Sequence, residues 1–74
     1  MEKTIIATKS GKMNMGGYSK NKTIEVYTFT FDFNGVKEEG KYFRFKIVGD
    51  SCDECFETLS EAMGKFKKVS KQLF

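Results

Sequence analysis

The clearest hydrophobic pattern in the chain is an alternation within residues 23–33. From Tyr27 onward every second position carries an aromatic side chain: Tyr27, Phe29, Phe31 and Phe33. Because successive side chains of a β-strand point to opposite faces, the pattern predicts a strand with a row of rings on one face. We expect that face to cover the core. The Asn34-Gly35 pair that follows is typical of a tight β-hairpin turn.

A second apolar alternation, over residues 41–48, predicts the partner strand of this hairpin. A two-residue turn at Asn34-Gly35 would place Glu38 opposite Phe31, within the row of rings. Because burial normally decides strand register, we favour a wider loop from Asn34 to Gly40, or a β-bulge near Gly40. In either case the core-facing side chains are Phe43, Phe45 and Ile47, and those on the opposite side are Tyr42, Arg44 and Lys46.

Residues 3–8 form a short segment that is rich in apolar and β-branched side chains, and this segment predicts a first strand. Residues 9–22, KSGKMNMGGYSKNK, break the alternation and predict a basic loop, or two frayed strand ends around a turn at Met15-Gly16-Gly17. Long loops in small domains often carry function. The bland interpretation is a mobile hairpin tip. The functional one is a contact loop with these residues: Lys9, Lys12, Met13, Met15, Tyr18, Lys20 and Lys22.

The last third of the chain predicts an α-helix over residues 52–72. Ser51 and Glu54 have the spacing of a capping box, and the apolar residues that follow recur every three or four positions. That apolar stripe includes Cys52, Cys55, Phe56, Leu59, Ala62, Met63, Phe66, Val69 and Leu73. The predicted fold is therefore α+β in one domain, residues 1–74: a three-stranded antiparallel sheet packed by one C-terminal helix, in the order β-β-β-α.

Composition limits the chemistry that this chain can perform. It has no His, the commonest general base and metal ligand, and no paired carboxylates or Gly-rich cofactor loop. We therefore expect a non-enzyme without metal or cofactor. Cys52 and Cys55 have the CxxC spacing of redox and zinc sites, but both fit the buried helix stripe, and the structural interpretation is favoured.

The charge pattern leaves two kinds of partner open. The net charge is +3, and Tyr42, Arg44 and Lys46 would form a basic sheet face with one aromatic ring. Such a face, together with the Lys-rich loop, could bind nucleic acid or a nucleotide. A solvated sheet face is the favoured interpretation. No apolar run approaches the ~18 residues of a membrane span, so we expect a soluble, cytoplasmic protein without membrane association.

Two local resemblances accompany these patterns. The run from Gly49 to Cys55 resembles the strand-to-helix junction of small HicB-type antitoxins, and the β-β-β-α order resembles the arm-type DNA-binding module of some phage integrases. The chain also looks like an accessory protein of a phage or mobile element. Proteins of that kind bind a host enzyme, a defence effector or a nucleic acid, which would make this chain an inhibitor or regulator.

The leading hypothesis from the sequence is a small interaction protein that binds a partner protein. A strand of six residues spans about 20 Å, whereas a helix of 22 residues spans about 33 Å. The apolar helix end at Leu73-Phe74 would then extend beyond the sheet, and we expect it to pair with a second copy as a homodimer. The alternative hypothesis is a nucleic-acid or nucleotide-binding module.

Overall fold

The computed structural model describes residues 1–74, which form an antiparallel sheet followed by one helix. The elements are β1 (Glu2–Asn14), β2 (Ser19–Phe33), β3 (Val36–Ile47), β4 (Glu54–Phe56) and α1 (Leu59–Leu73). The strands lie in the order β1-β2-β3-β4. The predicted α+β class is confirmed. The sheet has four strands rather than three, because residues 54–56, which were predicted as helix, pair with the edge of β3.

The predicted basic loop over residues 9–22 is mostly paired strand. β1 and β2 stay paired from Glu2↔Thr30 as far as Asn14↔Ser19, with one irregularity after Ile5. Only a tight turn remains between them, closed by the hydrogen bond from Met15 N to Tyr18 O at 2.8 Å. The two glycines of this turn have positive φ values of 78° and 97°. Pairing extends this far because the hairpin end has an apolar anchor, the fully buried Met13.

The β2–β3 hairpin combines a tight turn at Asn34-Gly35 with a bulge near Gly40. Asn34 and Gly35 form a two-residue turn, with φ values of 53° and 84°, so the wider loop is wrong. The predicted bulge near Gly40 is present. The pairing jumps from Thr30↔Glu39 to Thr28↔Phe43, which leaves residues 40–42 opposite Phe29 alone. The offset is even, so the alternation of faces along β3 is preserved.

The core lies on the opposite face of β2 from the one predicted. It consists of Met13, Ile24, Val26, Phe45, Ala62 and Val69. Phe43 and Ile47 pack against this cluster, as predicted. Arg44 pairs with Tyr27, and Lys46 with Glu25, so the row of rings shares the outer face with Arg44 and Lys46. The helix therefore covers the aliphatic positions of β2, where the fully buried Ala62 lets it approach closely.

The helix begins at Leu59, seven residues later than the predicted start at residue 52. Thr58, not Ser51, is the N-cap, and its Oγ1 accepts a hydrogen bond from Glu61 N at 3.2 Å. The Thr58 hydroxyl also donates a hydrogen bond to Glu61 Oε1 at 3.0 Å, so Thr58 and Glu61 cap the helix together. Cys52 and Cys55 precede the helix and are exposed free thiols. Their assignment to a buried helix stripe is therefore wrong, because pairing of residues 54–56 with β3 keeps this segment extended.

The sheet, and not the helix, is the element that extends beyond its partner. The molecule measures 50 × 21 × 17 Å, whereas a helix of the length of α1, 15 residues, spans about 22 Å. Leu73 and Phe74 pack against the core of their own chain. The Phe74 ring lies 3.6 Å from where a Cβ on Gly11 would be. The apolar helix end on which the dimer prediction rested is thus covered within the protomer.

Gly64 in the middle of α1 offers a direct stability test. No heavy atom lies within 4 Å of the position that a Cβ would occupy there. Gly64→Ala should therefore raise the free energy of unfolding by about 1 kcal/mol, because alanine loses less backbone entropy in a helix. Urea unfolding of both chains measures the difference. An unchanged or lower free energy would contradict the open space that the structure places around Gly64.

Candidate functional site

The face of the sheet opposite the helix carries a row of aromatic side chains, which we call the ring face: Phe29, Phe31, Phe33 and Tyr42. Phe33 is 60% exposed and Tyr42 is 39% exposed, while Phe29 and Phe31 are half-buried. Ile5 and Val36 lie on the same face, opposite Tyr27 and Phe33, and both are exposed. Several exposed large apolar side chains on one face of a small protein are typical of an interaction site.

The rings are held by contacts with one another. Phe31 and Phe33 are stacked, with centroids 6.2 Å apart and an interplanar angle of 22°. Tyr27 meets Phe29 edge to face at 5.6 Å. Because these contacts restrict the ring rotamers before any partner arrives, little side-chain entropy remains to be lost on binding.

The charged groups beside the ring face are largely neutralised within the chain. Lys3 Nζ pairs with Glu25 and lies 4.3 Å from the centre of the Tyr27 ring. The Arg44 guanidinium lies 4.9 Å from the centre of the Phe29 ring, and its Nη1 is 3.7 Å from Asp53 Oδ2. These pairs leave the ring face predominantly apolar and weaken it as a surface for phosphates.

Tyr27 links the sheet to the segment before β4. Its side chain is buried, and its hydroxyl donates a hydrogen bond to Asp53 Oδ2. Burial raises the pKa of Tyr27 to about 12, and the hydrogen bond to Asp53 and the charge of that carboxylate act in the same direction. The Arg44 cation opposes this rise. Tyr27 is therefore a neutral donor that holds Asp53 beside Arg44.

A cleft of about 260 Å³ opens at the bulge between β2 and β3. Its boundary consists of Phe29, Phe31, Gly40, Lys41, Tyr42 and Arg44. A Cβ on Gly40 would lie 2.8 Å from Phe29 O and 3.2 Å from the Phe31 ring, so only glycine fits at that position. The bulge thus brings two cationic side chains beside the rings.

The structure spreads the predicted contact residues along the sheet and does not gather them at one place. Tyr42 and Arg44 border the cleft, and Lys46 lies on the same face opposite Glu25. The residues predicted as a basic loop belong to the β1–β2 hairpin, whose turn lies at the other end of β2 from the Asn34-Gly35 turn. β2 has 15 residues, and a strand of that length spans about 50 Å.

Several residues of the predicted contact loop have roles within the fold. Met13 is fully buried and Met15 packs against the core, so neither is a free apolar contact. Lys9 Nζ donates a hydrogen bond to Ser70 Oγ at 2.7 Å, which ties β1 to the helix. The exposed residues of this group are Lys9, Lys12, Tyr18 and Lys20, while Lys22 is half-buried.

Other kinds of site find little support in the described residues, 1–74. No group of three or more His, Cys, Asp or Glu side chains is placed to hold a metal ion. No helix combines the length and the apolar composition needed to cross a membrane. The Gly49–Cys55 junction does not lead directly into a helix, because β4 intervenes, so the local resemblance to HicB-type antitoxins does not extend to this geometry.

Comparisons with protein-family models, with curated proteins and with solved structures find no match to this chain.

The rings and Lys41 were not among the site residues predicted from the sequence. Phe29, Phe31 and Phe33 were assigned to the core because they form the longest aromatic row. The informative signal was Glu38, which the tight Asn34-Gly35 turn places opposite Phe31. A charged residue within the row indicates that this part of the row faces solvent, and the same alternation places Ile24 and Val26 on the covered face.

Proposed function

We propose that this chain is a small non-enzymatic interaction protein that binds a partner protein through the ring face. The observation that carries the proposal is the exposure of Phe33, Val36, Ile5 and Tyr42 on one uncovered sheet face. Aromatic residues fixed in advance are typical of the residues that dominate binding energy at protein interfaces. The paired charges at its edge fit a polar rim around an apolar centre.

The finer parts of the hypothesis remain proposals of the same kind. Binding would inhibit or regulate the partner in the cytoplasm, as in an accessory protein of a phage or mobile element. A homodimer would now have to use the ring face or a free sheet edge, because Leu73 and Phe74 are covered. A dimer formed through the ring face would compete with the partner for that surface. A dimer formed through a sheet edge would leave the ring face free beside it.

Nucleic-acid or nucleotide binding is the second candidate. One observation favours it: Tyr42 is 39% exposed and stands beside Lys41 and Arg44 on an open sheet face. Sheets that bind single-stranded nucleic acids stack bases on rings in such positions. The internal pairing of Arg44 with Asp53 and of Lys3 with Glu25 makes this candidate the weaker one.

A capture experiment with matched variants tests the proposed function. The immobilised chain is exposed to nuclease-treated lysate of the source cells, and the proteins retained are compared between wild type and Phe33→Ser. We expect Phe33→Ser to retain the partner at least tenfold less strongly, as for a truncated interface anchor. Lys67→Ser, on the exposed side of the helix, should behave as wild type.

Two results of this experiment would contradict the proposal. One is equal capture by wild type and Phe33→Ser. The other is loss of capture by Tyr18→Ser, because Tyr18 is similarly exposed, at 56%, but lies at the opposite end of the sheet. Recovery of nucleic acid alone from untreated lysate, with loss in moderate salt, would favour the second candidate.

A further inference from the structure

The cleft beside the ring face has a net positive boundary. Two of its six boundary residues, Lys41 and Arg44, are cationic, and none is acidic. Lys41 forms no ion pair; its Nζ lies 5.4 Å from the centre of the Tyr42 ring. The remaining boundary consists of Phe29, Phe31 and Tyr42 with the backbone of Gly40. An occupant must therefore offer both negative charge and apolar surface.

Arg44 is fixed in position before anything binds. Its guanidinium is stacked over Phe29, and Asp53 lies 3.7 Å from Nη1. Its Nε is buried without a hydrogen-bond partner, yet the side chain remains 31% exposed. An arginine held in this way loses little conformational freedom when its remaining N–H groups bind an oxygen anion.

The surroundings of the cleft favour a single carboxylate over a polyanion. Asp53 lies directly beside Arg44, and Glu38 projects from the same face opposite Phe31. Both carboxylates would repel each successive phosphate of a nucleic acid, whereas a single side-chain carboxylate placed between Lys41 and Arg44 meets that repulsion only once. The volume of about 260 Å³ suits one side chain with part of its neighbour.

Resting on the proposed function, we infer that the cleft binds an Asp or Glu side chain of the partner protein. The carboxylate contacts Arg44 and Lys41, and an adjacent aromatic or aliphatic residue of the same segment packs on Phe31 and Tyr42. The site thus selects partners that display an acidic residue next to an apolar one. The ring face supplies most of the affinity, and the cleft supplies specificity.

Selection from a displayed random-peptide library, followed by titration of synthetic peptides, tests this inference. Binding is measured from amide chemical shifts of the ¹⁵N-labelled chain. We expect selected peptides to share an Asp or Glu beside an apolar residue and to shift residues 29–31 and 40–44. Replacing that acid by Asn or Gln, or Lys41 by Gln, should weaken binding about tenfold, the effect of one lost charged contact. Lys67→Gln is the matched control.

The outcomes separate this inference from the proposed function. Peptides that bind the ring face without an acid, or that bind Lys41→Gln as well as wild type, would overturn the inference and leave the proposed function standing. The absence of any selected peptide would also overturn it. A twelve-residue oligothymidylate that shifts the same amides and is released by salt, while acidic peptides do not bind, would overturn both.

Discussion

Phe45→Ala is expected to lower the free energy of unfolding by about 3–5 kcal/mol, whereas Phe33→Ala should lower it by less than about 1 kcal/mol. Phe45 is 5% exposed and stands opposite Val26 in the centre of the core. Its truncation removes a large buried area and leaves a cavity. Phe33 is 60% exposed, and its only aromatic contact is the stacked Phe31, a pairing worth about 0.5–1.5 kcal/mol when fully formed.

Urea unfolding of both variants makes this comparison. A small domain has a total stability of only about 5–15 kcal/mol, so Phe45→Ala could leave no measurable native state. Phe45→Leu, which keeps most of the volume and should cost about 1–2 kcal/mol, then provides the measurement. A cost for Phe33→Ala similar to that for Phe45→Ala would mean that the ring face is buried, and the candidate site would lose its basis.

The relation between these two phenylalanines shows how far the sequence determines the fold. The alternations over residues 23–33 and 41–48 predict strands, and the side of β3 that faces the core follows correctly from Phe43, Phe45 and Ile47. The side of β2 does not follow. Both of its faces carry apolar residues, and a long aromatic row outweighed Ile24 and Val26, which the helix in fact covers.

The lengths of the elements explain most of the remaining differences. Glycine, asparagine and lysine in residues 9–22 indicate a loop by local preference, but the pairing of β1 with β2 and the burial of Met13 overrule that preference. Ser51 and Thr58 are both followed by Glu at the capping-box spacing. Only the pairing of residues 54–56 with β3, a tertiary contact, selects Thr58.

Part of the candidate site could be predicted from the alternation of side chains along β3. Alternation along β3 identifies Tyr42 and Arg44 as outer-face residues without knowledge of the helix position. The cleft needs the two-residue offset at Gly40, which brings Lys41 and Tyr42 beside Phe29 and Phe31. The predicted bulge gave its location. The rings that line it could be recognised only after the helix was seen on the other face.

Stability above pH 10 should depend strongly on Tyr27. The pKa of this buried hydroxyl is raised from 10.0 to about 12 by burial and by its hydrogen bond to Asp53. The neutral form is favoured in the folded state, so its contribution is complete below pH 10 and is lost as the pH rises through about 12. By pH 11 about 1.4 kcal/mol should be lost, and about 2–3 kcal/mol in all.

The matched variant for this prediction is Tyr27→Phe, which keeps the ring beside Phe29 and Lys3 but removes the titrating hydroxyl. Urea unfolding of both chains at pH 8, 10 and 11 separates this group from the lysines, whose titration is common to the two. Relative to pH 8, we expect the stability advantage of the wild type over Tyr27→Phe to shrink by about 0.4 kcal/mol at pH 10 and by about 1.4 kcal/mol at pH 11. A difference independent of pH would show that folding does not raise the pKa of the Tyr27 hydroxyl.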